Sequence, residues 1–90
     1  TDPAADLAVA AALVSAFSET PVPADGIAFG EVALSGEIRP VAHAPLRLRE
    51  AAKLGFGQAW CPARTDAAAG IAAHGFGRLG ELVDRMLARG

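Results

Sequence analysis

The chain has 90 residues, enough for one small domain or part of one. It is 52% hydrophobic, but much of this is alanine and the only aromatic residues are four Phe and one Trp, so we expect a core of small, closely packed side chains. The net charge of −2 argues against a stand-alone nucleic-acid binder, which needs a basic surplus or a segregated basic face.

The first predicted element is a helix that begins after Asp2 and Pro3. Asp2 can accept hydrogen bonds from the free amides of the first turn, and Pro3 suits the first helical position. Residues 4–17 have high helix propensity. One apolar face comprises Leu7, Ala10, Ala11, Val14 and Phe17, and a second comprises Val9, Leu13 and Ala16. A helix that is apolar nearly all round needs cover on more than one side, so we predict a buried central helix.

A β-hairpin is predicted next. The two prolines within residues 20–23 end the helix, and residues 27–34 have the β-branched and aromatic content of a strand. Ser35 and Gly36 suit a two-residue turn. Residues 37–39 would return antiparallel, and Pro40 would close this strand at an edge.

A second helix is predicted at residues 44–54, ended by Gly55. The residues expected to face a sheet are Leu48, Ala51, Ala52 and Gly55, and those expected to face water are Arg49, Glu50 and Lys53. The short apolar run 58–61 before Pro62 predicts a central strand.

The last third of the chain is predicted to contain a loop, a weak strand and a helix, at residues 63–70, 71–74 and 77–88. The residues of this last helix that are expected to point inward are Leu79, Leu82, Val83, Met86 and Leu87. The order helix, hairpin, helix, strand, strand, helix is an α/β (α+β) arrangement. It offers few strands to cover the two faces of the first helix, so we infer missing structure upstream or cover by another chain.

The cysteine content and apolar stretches bear on the compartment. Cys61 is the only cysteine, which excludes an intrachain disulfide and favours a reducing cytosol. Residues 1–3 do not have the pattern of a signal peptide. The longest apolar stretch, residues 7–17, is shorter than the roughly 20 residues that cross a bilayer. We therefore expect cytoplasmic localisation and no membrane partner.

Three blocks, in this order, closely resemble the C-terminal domain of the RadA (Sms) family and the related proteolytic domain of Lon. They are DPAADLAV (residues 2–9), FGEVALSGEIRPV (residues 29–41) and RLREAAKLGF (residues 47–56). The resemblance runs from Thr1 to about Pro62 and is looser beyond. It implies a Lon-protease-type domain of the ribosomal-protein domain-2-like kind, spanning residues 1–90 as a single domain whose first strands lie upstream.

The resemblance also indicates where a protease of this type would carry its reacting groups. The Lon serine lies in a Gly-Pro-Ser-Ala-Gly stretch, which here is DPAAD (residues 2–6), so Ala4 occupies the serine position. The Lon lysine lies in Pro-Ile-Gly-Gly-Leu-Lys, which here is PVAHAP (residues 40–45), so Pro45 occupies the lysine position. Nucleophilic catalysis needs an activatable atom and a base within reach. We therefore predict no catalytic residue in this segment.

RadA proteins are hexameric DNA-dependent ATPases, so the resemblance implies self-association in a ring and contact with DNA. Their zinc finger and nucleotide-binding motif precede this domain, and this sequence has neither Gly-x-x-x-x-Gly-Lys-Ser/Thr nor a four-cysteine set. We expect no cofactor or metal in this segment, with ATP, Mg and Zn bound upstream in the family.

The densest basic group comprises Arg39, Arg47, Arg49 and Lys53. One interpretation is a solvated face with local ion pairs around Glu50. The other is contact with the DNA backbone or with a neighbouring subunit. Arg47 and Arg49 point about 200° apart on a helix, so the group does not form one stripe.

Isolated polar residues are interpreted structurally. His43 and His74 lack neighbouring ligands. Cys61 suits a small buried apolar site, and Asp6 lies where a helix dipole favours a carboxylate. Gly30 and Gly36 suit a close-packing strand site and a turn.

The predicted function is a non-catalytic scaffold and DNA-contact domain of a RadA-type repair and recombination ATPase. A rival is a Lon-like peptidase fragment with Ser15 or Ser18 as nucleophile. A third interpretation is a Lon-like domain attached to an unrelated motor.

Overall fold

The computed structural model describes residues 2–89, with side chains described for residues 2–88. Its elements in chain order are a 3₁₀ turn at Pro3–Ala5, α1 at Asp6–Ser18, β1 at Gly26–Ala28, β2 at Glu31–Val32, β3 at Ile38–Arg39, α2 at Ala44–Lys53, β4 at Gln58–Pro62, β5 at Ala72–Phe76 and α3 at Leu79–Arg89. The predicted α/β class is confirmed. No helix within the described part of the chain is both long and apolar enough to cross a membrane.

The main sheet has three parallel strands in the order β1-β4-β5. Ala59 of β4 lies opposite Ile27 of β1 on one side and Ala73 of β5 on the other. The prediction that the run before Pro62 forms a central strand is confirmed. The strand predicted at residues 71–74 is also present as β5, which begins one residue later and ends two residues later than predicted. Every residue of β4 pairs with a residue of β5.

Helices cover both faces of this sheet, because successive side chains of a strand point to opposite sides. Trp60 and Phe76 pack with α1 and α3 on one face. Ala59 and Cys61, their neighbours along β4 and on the opposite side of it, pack against Leu48 of α2. The α2 prediction is confirmed to within one residue, since the helix ends at Lys53. The predicted stop is also present: Gly55 adopts φ 98° and the Phe56 amide donates to the Ala51 carbonyl. Gly55 itself is exposed and does not face the sheet.

The predicted strand at residues 27–34 is wrong as one element. It breaks at Gly30, whose amide donates to the Ala4 carbonyl at 2.8 Å and whose carbonyl accepts from the Leu7 amide at 3.0 Å. A Cβ on Gly30 would lie 3.2 Å from Ile38 and 3.3 Å from Leu7. The close-packing role predicted for Gly30 is thus confirmed, and the same packing draws the chain out of the main sheet into a separate hairpin.

The hairpin β2–β3 is present, but its turn differs from the prediction. The Gly36 amide donates to the Ala33 carbonyl, and the Ala33 amide donates to the Glu37 carbonyl. The loop therefore has three residues, Leu34, Ser35 and Gly36, with Gly36 at φ 89°. This is the common turn with a glycine in the left-handed region, so the prediction of a turn glycine is confirmed and that of a two-residue turn is wrong.

The prediction that α1 is a buried central helix, covered on more than one side, is wrong for the residues described. Asp2 caps the preceding turn as predicted, accepting from the Ala4 amide at 3.0 Å. Only Leu7 and Ala11 of α1 are buried, and Phe17, expected on the inner face, is 88% exposed. The helix ends at Ser18, and the following Glu19 adopts the left-handed conformation.

The last helix begins two residues later than predicted. The Glu81 carboxylate accepts from the amides of Gly77 and Arg78, which fixes the first turn of α3. Leu82 and Met86 are buried as predicted, and Leu79 and Val83 are half-buried. Leu87 was expected inward but is exposed, because α3 contacts its neighbours along a narrower stripe.

Candidate interaction surfaces

Ala4 and Pro45 lie at the starts of two different helices. Ala4 is buried in the turn before α1, and Pro45 is exposed in the first turn of α2. These two helix starts are connected by Arg47, whose Nη2 lies 3.6 Å from the Asp2 carboxylate. Neither a methyl group nor a pyrrolidine ring supplies a nucleophile or a base.

The two serines of α1 have their hydroxyls engaged by the backbone. Ser15 donates to the Thr20 carbonyl and Ser18 donates to the Val14 carbonyl, each at 2.6 Å. The only lysine, Lys53, lies on α2 with its amine 3.8 Å from Glu50. A serine that donates to a carbonyl is not activated, because its proton is not held by a base.

The four basic residues predicted as a group separate in the structure. Arg47 is held by Asp2 and donates from Nε to the Ala42 carbonyl at 3.1 Å. Arg39 is exposed on β3, opposite Glu31. Arg49 and Lys53 remain together, one turn apart on the outer surface of α2. They border a shallow groove of about 510 Å³ lined by Pro45, Arg49, Ala52, Lys53, Ala67, Ala68 and Ala69.

The remaining polar groups have local structural contacts. Burial raises the pKa of the Cys61 thiol, an effect that the Thr65 hydroxyl partly offsets, so Cys61 stays protonated near neutral pH. His43 precedes α2 in the left-handed conformation without capping it. His74 stacks on Trp60, with ring centroids 6.3 Å apart. Asp6 does not cap its own helix but accepts from the Val32 amide at 3.2 Å, holding the hairpin. Residues 2–89 contain no group of three or more side chains placed to hold a metal ion.

A groove of about 640 Å³ lies beside Trp60 and was not predicted. It is lined by Ala11, Thr20, Pro21, Val22, Pro23, Ala24, Trp60, Leu82, Arg85 and Met86. The Trp60 ring lies against Gly26, where any side chain would collide with it. The prolines after α1 and the single tryptophan are the sequence signals for this groove, but only the fold brings them together.

A second apolar surface runs along α1. Its members are Ala8, Val9, Ala12, Leu13, Ala16 and Phe17, all exposed. Val9 and Leu13 are each two residues from Ala11, which places them about 200° around the helix from it, opposite the buried face. We call these six residues the outer face of α1. It has no charged residue, which is unusual for a helix surface in contact with water.

The arrangement is that of a small α/β segment with helices on both sides of a parallel sheet and two open apolar surfaces. No protein-family model matches the chain. The chain is similar to the DNA repair protein RadA of Rickettsia typhi (56% identical over 61 residues), of Brucella abortus (56% over 62 residues) and of Aquifex aeolicus (57% over 61 residues). These matches cover 68–69% of this chain.

The resemblance to RadA predicted from the sequence is thereby confirmed: over about two thirds of its length the chain is similar to the RadA proteins. The chain spans about 14% of the length of these relatives. The Lon-type details of the fold and the roles of Ala4, Pro45 and the basic residues remain predictions.

Proposed function

We propose that this chain is a non-catalytic scaffold domain of a RadA-type DNA repair and recombination ATPase. The observation that carries the proposal is the similarity to RadA proteins at 56–57% identity. Ala4 and Pro45, at the positions where Lon-type proteases have serine and lysine, support a role without peptide-bond cleavage. ATP, Mg, Zn and the motor belong to the rest of such a protein, which would work in the cytoplasm.

The two apolar surfaces support a packing role. The outer face of α1 and the Trp60 groove beside α3 would be covered in the intact protein, by chain outside these residues or by a neighbouring copy in a ring. Residues 1–90 would then form one domain together with strands from upstream. Large exposed apolar patches on soluble proteins commonly mark such contacts.

The rival proposal is a peptidase, and it makes a distinct prediction. We expect the intact protein to leave an unfolded protein substrate uncleaved and a serine-reactive phosphonate probe unbound, because Ser15 and Ser18 donate to carbonyls rather than to a base. Mass spectrometry of the probe-treated protein checks this. Labelling of either serine, lost on its replacement by alanine, would favour the peptidase.

We propose that the basic group contacts DNA. The positions of its members in the structure indicate which of them to substitute first. Arg49 and Lys53 are exposed on one surface of α2, whereas Arg47 is held by Asp2. We expect the combined substitutions Arg49→Ala and Lys53→Ala to weaken duplex binding by the intact protein and to lower the salt slope by about 2, since each phosphate contact releases about one counterion. Arg39→Ala and Arg47→Ala complete the set, with a smaller effect expected for Arg47.

Arg64→Asn is the control for this measurement. It removes one positive charge from the exposed turn after β4, outside α2, and asparagine tolerates the left-handed conformation that residue 64 adopts. Its salt slope should equal that of the unsubstituted protein. An unchanged slope in the Arg49 and Lys53 variant would remove α2 from the DNA-contact surface while leaving the scaffold role intact.

A further inference from the structure

The loop of the β2–β3 hairpin carries one exposed apolar side chain, and hydrogen bonds hold this loop in place. Leu34 is fully exposed. The loop is tied to the start of α3, because the Leu79 amide donates to the Gly36 carbonyl at 2.7 Å and Arg78 Nη2 donates to the Ser35 carbonyl at 2.8 Å. Because the turn holds the Leu34 side chain in solvent, this leucine buries no apolar surface within its own chain.

The Trp60 groove lies farther along the same helix. Its α3 residues are Leu82, Arg85 and Met86, and Met86 is about 10 Å along the helix from Leu79. The loop hydrogen bonds fix Leu34 at the start of α3. Leu34 therefore does not fill the Trp60 groove of its own chain.

The charged residues at the Trp60 groove and near Leu34 have opposite signs. Arg85, at the groove, is exposed and has no ion-pair partner within 4.0 Å among the described residues. Glu37, three residues from Leu34, is also exposed and also lacks such a partner within that part of the chain. The nearby Arg78 is engaged by the Ser35 carbonyl. A guanidinium beside an apolar groove favours an apolar group that carries a carboxylate next to it.

We propose that Leu34 of one copy of this chain inserts into the Trp60 groove of the next copy, with Glu37 facing Arg85. This inference rests on the proposed scaffold role and specifies its contact. Because Leu34 and the Trp60 groove lie on different parts of the surface, the contact is head-to-tail. Such contacts generate rings when the rotation closes.

Photo-crosslinking in the full-length protein tests the contact. A benzophenone amino acid replaces Leu34 in an unlabelled copy, which is mixed with ¹⁵N-labelled protein before irradiation. We expect a crosslink to the peptide that contains Met86, since benzophenone reacts readily with methionine, and we expect it between labelled and unlabelled copies. The same probe at Leu54, which is also exposed, should not reach this peptide. A crosslink from position 34 to another segment or another protein would overturn the proposal.

Charge exchange gives a second, independent readout. Glu37→Arg and Arg85→Glu should each weaken association about fivefold, and the two together should restore it. Loss in each single variant without restoration in the combination would contradict the ion pair.

Sedimentation of the same proteins separates this contact from the proposed function. If the full-length protein assembles normally but gives no crosslink between position 34 and Met86, the proposed contact is contradicted and the scaffold role is not. If the full-length protein stays monomeric at all concentrations, both the scaffold role and the proposed contact are contradicted.

Discussion

Leu48→Ala is expected to lower the free energy of unfolding by about 3 kcal/mol. Leu48 is 0% exposed and joins α2 to the sheet through Ala59 and Cys61. Truncation removes buried methyl groups and leaves a cavity among small side chains that cannot move far to fill it. Urea unfolding followed by circular dichroism measures the loss as a lower midpoint at an unchanged slope.

Leu54→Ala is the matched control for this prediction. Leu54 follows α2 directly and is 77% exposed, so the same chemical change should alter stability by no more than about 0.5 kcal/mol. Equal losses in the two variants would mean that α2 does not pack on the sheet through Leu48.

Features with local causes are the ones that the sequence predicts well. The cap at Asp2 and the stop at Gly55 depend on hydrogen bonds within a few residues, and both are present. The run before Pro62 is apolar at successive positions, which is typical of a strand covered on both faces. It is the central strand of the sheet.

Features with distant causes are the ones that sequence reasoning misses. The strand containing Gly30 breaks because the amide and carbonyl of this residue pair with the start of α1, more than twenty residues earlier. The groove depends on Trp60 lying against Gly26, a contact that no local pattern reveals. Likewise Arg47, which belongs by spacing to a basic group, pairs at 3.6 Å with Asp2, a residue far away in the sequence.

The candidate site likewise has parts that the sequence identifies and a part that it does not. Ala4 and Pro45 were identified by resemblance to a family motif, since alanine and proline carry no chemical signal of their own. The outer face of α1 was visible as a periodic pattern, because Val9, Leu13 and Ala16 recur at helical spacing. The pattern shows that the face needs cover, and it does not identify what covers it.

In the full-length protein, Leu13→Asp is expected to lower the free energy of unfolding by about 3 kcal/mol, if the outer face of α1 is covered as proposed. Leu13 is 54% exposed in this chain. A carboxylate there would stay hydrated if the face were open, and the change would then be within about 0.5 kcal/mol. Beneath a packed partner it would be an unpaired buried charge, which is among the most destabilising substitutions. Urea unfolding of the intact protein therefore distinguishes a covered face from an open one.

Leu46→Asp supplies the comparison for that measurement. Leu46 is 46% exposed, close to the exposure of Leu13, and lies in the first turn of α2, where a helix dipole tolerates an acidic residue. Its effect should be near zero whether or not other parts of the protein pack on α1. A large loss at position 13 with none at position 46 requires a partner on α1, because the two substitutions introduce the same charge at similar exposure. Small effects at both positions would leave the outer face of α1 in water and remove it from the packing surfaces of the intact protein.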